Sequence, residues 1–144
     1  MEWLLLLSDL TNEDVERLDA QRRLIRTEVR ARYGAPLGAD RGAFGHLQQL
    51  LDDKVFTPDQ RFELQSIGIC WGDVLCAIAP FRWMMITDEY GRDPTLQWKQ
   101  TTINIHALTM ISKRVEEGEA VDVEWLAERV VARAKELETS EHER

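Results

Sequence analysis

Apolar residues recur every three or four positions along several segments of the chain, and this spacing predicts amphipathic helices. The first predicted helix covers 13–33, where Thr11 and Asp14 give a start signal that resembles a capping box and Gly34 ends the helix. Its apolar stripe, interrupted by one arginine, consists of Val15, Leu18, Ile25, Val29 and Tyr33. After a loop rich in glycine and proline, a short second helix ends near Asp52 and has an apolar face of Phe44, Leu47, Leu50 and Leu51.

A third helix is predicted over 58–78, with Thr57 as its N-cap, a proline at its first position and Gln60 completing a capping box. Gly68 and Gly72 lie four residues apart on one face of this helix. Each costs about 1 kcal/mol of helix stability relative to alanine. Because apolar residues cover most of the remaining circumference, we expect this helix to be central and buried, with another backbone close to the glycines.

Three strands are predicted next, over 82–88, 95–99 and 101–106, from residues rich in Trp, Met, Ile and Thr and from an alternation of apolar and polar positions. A short helix near 108–118 and a final helix capped by Asp122 and reaching Leu137 follow. The expected fold class is therefore α+β, with helices packed on one face of a small three-stranded antiparallel β-meander. The other face of the sheet is expected to be more polar.

Length and composition indicate one domain over residues 1–144, with 1–12 as an N-terminal segment and 139–144 as a frayed tail. An acid at the second position and a short apolar run over 3–7 are unlike a secretory signal, and no stretch has the roughly 18 apolar residues of a membrane span. We therefore expect a cytoplasmic protein. The net charge of −8 makes nucleic acid a poor partner and a basic protein a better one.

Catalytic chemistry finds little support in the sequence. Cys70 and Cys76 lie on different sides of the third helix, which favours reduced, buried thiols over a disulfide or a metal pair. The three histidines, His46, His106 and His142, show no ligand spacing, and neither a phosphate-binding loop nor a nucleophile elbow is present. No catalytic residue, metal or cofactor is therefore predicted.

The segment 88–94 carries three carboxylates, an arginine and a tyrosine between two predicted strands. Asp88 and Glu89 leave opposite faces of a strand, and Arg92 stands among any would-be metal ligands, so a soluble hairpin tip is favoured over a catalytic or metal site. In that interpretation Gly91 supplies a positive φ and the acids can pair with Arg92. The candidate binding residues on this tip, on the polar sheet face and beyond it are Asp88, Glu89, Arg92, Asp93, Gln97, Lys99, Asn104, His106 and Lys113.

Several ordered motifs carry a family resemblance: the run from Leu64 to Gly72, then Trp83 with 88–94, then 109–116, and Gly118 with 121–123. Over about residues 47–137 the chain resembles a bacterial family of domains of unknown function, number 3806. The resemblance implies a bacterial cytoplasmic protein with an α+β layout and confers no catalytic residues. Ala107 stands where the resemblance leads us to expect a proline.

Two classes of function follow from these observations. The first is a non-catalytic protein-binding module, most concretely an immunity-type protein that binds and blocks a basic bacterial toxin or effector. The second is a small enzyme whose site gathers Asp88, Glu89, Arg92, His106 and Lys113. An adaptor domain of unassigned role lies between the two.

Overall fold

The described chain combines helices with a single antiparallel sheet. The computed structural model describes residues 6–142, which contain five helices and four strands. In chain order these are β1 (Leu6–Ser8), α1 (Asn12–Tyr33), α2 (Ala43–Asp52), α3 (Arg61–Ile78), β2 (Phe81–Asp88), β3 (Gly91–Trp98), β4 (Asn104–Ile105), α4 (Ala107–Glu116) and α5 (Val123–His142). The strands lie in the order β1-β2-β3-β4, so the predicted α+β class is confirmed. None of the helices within 6–142 is long and apolar enough to cross a membrane.

The sheet has four strands where the sequence predicted three. The additional strand, β1, pairs with β2 through Leu6 opposite Thr87 and Ser8 opposite Met85. It lies in the segment 1–12, of which residues 1–5 are outside the described residues. Its three residues are too few to show an alternating pattern, which is why the sequence did not reveal it.

The bounds of the later strands also differ from the prediction. β3 begins at Gly91 instead of 95, and it accommodates Pro94 because β4 faces β3 only at Leu96 and Gln97, which leaves Pro94 at an uncovered edge. β4 is shorter than the predicted 101–106. Lys99 adopts a positive φ of 52°, and the following residues form a turn in which the Trp98 N–H donates to the Ile103 carbonyl at 2.9 Å.

The central position of α3 is confirmed, as is the close approach at its glycines. α3 packs against α1, α2, α4 and β2, and its Trp71 is fully buried. A Cβ placed on Gly68 would lie 2.6 Å from the Ala107 carbonyl oxygen, and one on Gly72 would lie 2.6 Å from the Trp83 ring. The small-residue face therefore lets α3 touch the backbone of α4 and the aromatic side chain of β2.

The start of α3 differs from the prediction. The Thr57 N–H donates to Gln60 Oε1 at 2.7 Å, as in a capping box, but the Gln60 backbone has ψ of 66° and helical geometry begins only at Arg61. The Gln60 N–H bonds the Thr57 carbonyl at 3.0 Å, which closes a separate turn. Thr57 and Gln60 thus form the predicted hydrogen bond, but within a turn that precedes the helix.

The capping box of α1 is confirmed, but its buried face is shifted from the predicted stripe. The Asp14 N–H donates to Thr11 Oγ1 and the Thr11 N–H donates to the Asp14 carboxylate, and Gly34 adopts φ of 66° at the other end. Val15, predicted to be buried, is 41% exposed, and Gln21 is buried instead with its Nε2 donating to Ser66 Oγ at 3.1 Å. The helix therefore packs partly through hydrogen-bonded polar groups.

A three-residue junction joins α1, α3 and β2. Arg22, which interrupts the apolar stripe, donates through Nε and Nη2 to the two carboxylate oxygens of Asp73 at 2.8 and 2.9 Å. The Trp83 indole N–H also donates to Asp73, at 2.9 Å. Burial by itself lowers the pKa of Arg22, but the hydrogen bonds and negative charges of Asp73 and Asp19 together outweigh that effect and leave the pKa above its ordinary value.

α5 is capped as predicted and extends further than predicted. The Trp125 N–H donates to Asp122 Oδ1 at 3.0 Å, while the Gln48 side chain holds the entry to the helix by bonds to the Val121 carbonyl and the Val123 N–H. The helix continues to His142, beyond the predicted apolar stripe that ends at Leu137. Residues 143–144 lie outside the described part of the chain.

Candidate functional site

The tip of the β2–β3 hairpin is a tight turn that projects a tyrosine. Asp88 pairs with Gly91, leaving Glu89 and Tyr90 as the turn, and the Tyr90 N–H donates to Asp88 Oδ1 at 2.8 Å. Gly91 has φ of 135°, in agreement with the predicted need for a positive φ. The Tyr90 side chain is 89% exposed. The tip therefore presents one aromatic ring at its apex with acidic side chains around it.

Arg92 does not pair with the acids of the tip, as the sequence suggested, but with Asp14 at the start of α1. Its two terminal nitrogens each lie 2.7 Å from a carboxylate oxygen of Asp14, whose side chain is only 1% exposed. Arg17 adds a further contact to the same carboxylate at 2.5 Å. We call this contact between Arg92 and Asp14 the clamp. Because 78 residues separate Arg92 from Asp14, it is a tertiary contact that local sequence spacing does not predict. It fixes the base of the hairpin to α1.

The clamp predicts a pH dependence of stability. The Arg92 guanidinium holds the pKa of Asp14 well below its usual value of 3.8, against the opposing effect of burial, and hydrogen bonds from Thr11 and Arg17 add to it. A depressed folded-state pKa contributes stability that is present above the unfolded-state value and is lost as pH falls below it. We expect urea unfolding to show that the wild type loses stability below about pH 4 more steeply than Asp14→Asn.

Asp93→Asn is the matched control for that measurement. Asp93 is an exposed neighbour of Arg92 and forms no ion pair within residues 6–142, so its removal is expected to keep the wild-type pH profile. A wild-type profile that coincides with that of Asp14→Asn between about pH 4 and pH 2 would contradict the role given to the clamp.

The polar face of the sheet is less accessible than predicted. Gln97 is 7% exposed, accepts a hydrogen bond from Arg82 Nε at 2.9 Å and donates to the Thr101 carbonyl at 2.9 Å. Lys99 is engaged with Glu138 of α5 at 2.7 Å. The polar groups of both candidate residues therefore already have partners within the protein, although Lys99, unlike Gln97, remains about half exposed.

Three other candidates line a groove formed by β4, α4 and α5. Asn104 and His106 come from β4 and the residue after it, and Lys113 comes from α4. The groove has a volume of about 440 Å³. Two further basic residues that the sequence analysis did not select, Arg114 and Arg133, complete its rim. The apolar lining of the groove consists of Ile103, Ile105, Met110, Val130, Ala134 and Leu137.

The tip and the groove are separate places on the molecule. Arg92 and Asp93 line a small cavity of about 120 Å³ beside α1, whereas Asn104, His106 and Lys113 line the groove. Along β3, five residues separate Gly91 at the tip from Leu96, the partner of Ile105 in β4, which is roughly 17 Å of strand. The candidate residues are therefore not gathered around one reactant.

The two thiols are poorly suited to nucleophilic chemistry. Burial raises the pKa of both Cys70 and Cys76 to about 12, and the nearby Asp73 carboxylate acts in the same direction. Both cysteines are free; Cys70 is buried as predicted, whereas Cys76 is only partly buried. At neutral pH they are protonated thiols, which are weak nucleophiles and weak metal ligands. Within residues 6–142, no group of three or more His, Cys, Asp or Glu side chains is arranged to hold a metal ion.

Comparison with known proteins gives a family and a fold. The sequence matches the family described as "Domain of unknown function (DUF3806)" over residues 44–126, more than half of the chain. The predicted resemblance is therefore confirmed. No curated protein matches the sequence.

The fold is similar to that of a protein from Bacteroides thetaiotaomicron VPI-5482, known from a crystal structure, with a TM-score of 0.79 and 14% sequence identity. The similarity covers 86% of this chain and 46% of the other, so this chain spans about half the length of that protein. At this identity the likeness concerns the arrangement of helices and strands.

Proposed function

Because this chain belongs to the DUF3806 family of domains of unknown function, we propose its function from its own surface: it is a non-catalytic, cytoplasmic protein-binding module that presents the β2–β3 tip to a basic protein partner. The observation that carries this proposal is the exposure of Tyr90, 89% at the apex of the tip. Three acids, Asp88, Glu89 and Asp93, surround it in sequence. Tyrosine is enriched among the residues that dominate binding energy at protein interfaces.

The charge and the anchoring of the tip both favour binding. Acidic side chains around an aromatic anchor, on a chain with a net charge of −8, steer association with a basic surface. The bidentate contact between Arg92 and Asp14 holds the hairpin in place before any partner arrives. A preorganised projection loses less conformational entropy on binding than a mobile loop would.

The most concrete form of this proposal is an immunity-type protein that blocks a bacterial toxin. A projecting tip fits a concave partner, and the functional clefts of toxins that handle nucleotides or nucleic acids are basic because they bind phosphate. Insertion of Tyr90 with Asp88 and Glu89 into such a cleft would exclude the toxin's substrate.

Replacing Tyr90 by alanine is expected to weaken the complex by about thirtyfold, the loss of a residue worth about 2 kcal/mol at an interface. The tagged chain is purified from the cell that encodes it, and the affinity of the recovered stoichiometric partner is then measured by calorimetry. Trp125→Ala is the matched control, because Trp125 is also exposed, at 57%, but lies on α5. Rescue of growth by co-expression of the chain with its partner tests the toxin-blocking form.

Two results would contradict the proposal. One is the absence of any stoichiometric partner, and the other is a complex that loses as much affinity with Trp125→Ala as with Tyr90→Ala. Circular dichroism of both variants ensures that they are compared as folded proteins. If a partner is recovered but its expression is not toxic, the binding module stands and the immunity role is withdrawn.

The enzyme alternative has less support. Its five residues, Asp88, Glu89, Arg92, His106 and Lys113, are divided between the tip and the groove, and Arg92 is already engaged by Asp14. General acid–base catalysis requires groups within hydrogen-bonding reach of one substrate.

A further inference from the structure

The groove between β4, α4 and α5 combines the size and the lining of a small-molecule site. Its volume of about 440 Å³ falls within the range of roughly 300 to 1,000 Å³ typical of such sites. Its apolar side chains come from all three elements, including Ile105 of β4, Met110 of α4 and Leu137 of α5. An apolar body placed here would be surrounded on three sides.

The rim of the groove is basic although the chain as a whole is acidic. His106, Lys113, Arg114 and Arg133 line it, and none of the acidic residues in the described part of the chain does. Within residues 6–142, Lys113 forms neither an ion pair nor a side-chain hydrogen bond. Four basic groups around one apolar groove are therefore a local feature that the overall charge of −8 does not lead one to expect.

The two arginines keep donors available for a ligand. Arg114 uses Nη1 to donate to the Met110 carbonyl at 2.8 Å and forms no ion pair within residues 6–142. Arg133 pairs with Glu136 at 3.3 Å, but both side chains are more than half exposed, and exposed pairs of this kind contribute little. Each contact is made by Nη1, so the Nε and Nη2 donors on the other edge of each guanidinium can still bind a carboxylate.

We propose that this groove binds a small amphipathic carboxylate of the medium-chain fatty acid type. The alkyl chain lies against Ile105, Met110 and Leu137, and the carboxylate is held by Lys113 and Arg114 at the rim. Burial of the alkyl chain supplies most of the affinity, while charge-assisted hydrogen bonds to the head group fix its orientation. This site is distinct from the tip proposed to bind a protein, so each is tested separately.

The test is calorimetric titration of the full chain with sodium decanoate below its micelle concentration. We expect saturable binding of one decanoate per chain, and about tenfold weaker binding to the variant Lys113→Gln with Arg114→Gln, which loses the charged head-group contacts. The matched control is Arg23→Gln with Arg26→Gln, which removes two exposed arginines from α1 and so makes the same change in net charge. It is expected to bind decanoate as the wild type does.

Methionine methyl NMR locates the ligand. The methyl resonance of Met110 is expected to shift with decanoate, while that of Met84, buried in the sheet, is not. Four results would overturn the proposal: no saturable binding, equal affinity for decanol, equal weakening in both double variants, or a Met110 signal that does not move. Binding of decyl phosphate or of an acidic amphipathic peptide without binding of decanoate would also overturn it, since each belongs to another class of ligand.

Discussion

Replacing Gly68 by alanine is expected to lower the free energy of unfolding by about 3 kcal/mol. The new methyl group would lie 2.6 Å from the Ala107 carbonyl oxygen and 3.1 Å from the Leu108 Cα, both of which are backbone atoms that cannot rotate away. α3 and α4 would have to move apart, and the core between them would loosen. The gain of about 1 kcal/mol from the higher helix propensity of alanine is smaller than this cost.

Gly45→Ala is the matched control, because Gly45 lies within α2 and a Cβ there would meet no atom within 4 Å. This substitution has only the gain in helix propensity and is expected to raise the free energy of unfolding by about 1 kcal/mol. Urea denaturation followed by circular dichroism measures both variants. Opposite signs for the same chemical change would establish the close approach of α4 to Gly68, and a stabilised Gly68→Ala would refute it.

Replacing Asp73 by alanine is also expected to lower the free energy of unfolding by about 3 kcal/mol. Two donors would lose their acceptor: the Arg22 guanidinium, whose side chain is 15% exposed, and the Trp83 indole N–H. Arg22, which is largely buried, would keep only the contact of its Nη1 with the half-exposed Asp19 carboxylate, and the unsatisfied indole N–H adds to the cost. Because the junction joins α1, α3 and β2, its loss is expected to weaken the packing of all three elements.

A double-mutant cycle isolates this interaction. Arg22→Met combined with Asp73→Ala removes both charges and is expected to be less destabilising than the sum of the single changes. Glu28→Ala serves as the control, because it removes an exposed i,i+4 pair with Arg32 and is expected to cost less than about 0.5 kcal/mol. Additive effects of Arg22→Met and Asp73→Ala would mean that the two residues do not stabilise each other.

Local signals in the sequence were sufficient where the structure depends on neighbours along the chain. The capping box at Thr11, the left-handed Gly34 and the positive φ of Gly91 are each determined by a few adjacent residues. The glycine pair on α3 was also readable, because two costly residues on one helix face require a packing reason. The partners of the two glycines, α4 and Trp83, come from distant segments and have no signal near α3 in the sequence.

Contacts between distant segments could not be predicted in this way. Arg92 stands between acids of the tip, and nothing in its neighbourhood indicates that Asp14 is its partner. Thr57 and Gln60 carry a helix-start signature, yet they form a turn because the Gln60 backbone leaves the helical region. In both cases the sequence showed which groups need partners, and tertiary packing determined which partners they found.

The groove was only partly foreseeable for the same reason. Asn104, His106 and Lys113 were selected as polar residues on or after the last strand, and the fold brings these three together. Arg133 completes the rim from α5, about twenty residues later in the chain. Its only signal in the sequence is a position beside the apolar stripe of α5, which many solvated arginines share.

Two tryptophans from other elements form hydrogen bonds with α5 near its two ends. Near its first turn the Trp71 indole donates to the Val123 carbonyl at 2.9 Å, and near its last turns the Trp98 indole donates to the Glu138 carboxylate. Detachment of either end of α5 would leave an indole N–H without its hydrogen-bond acceptor. Both ends of α5 are therefore fixed to the core by hydrogen bonds, and we expect α5 to unfold only together with the rest of the domain. The side of the groove that α5 forms is consequently in place before a ligand binds.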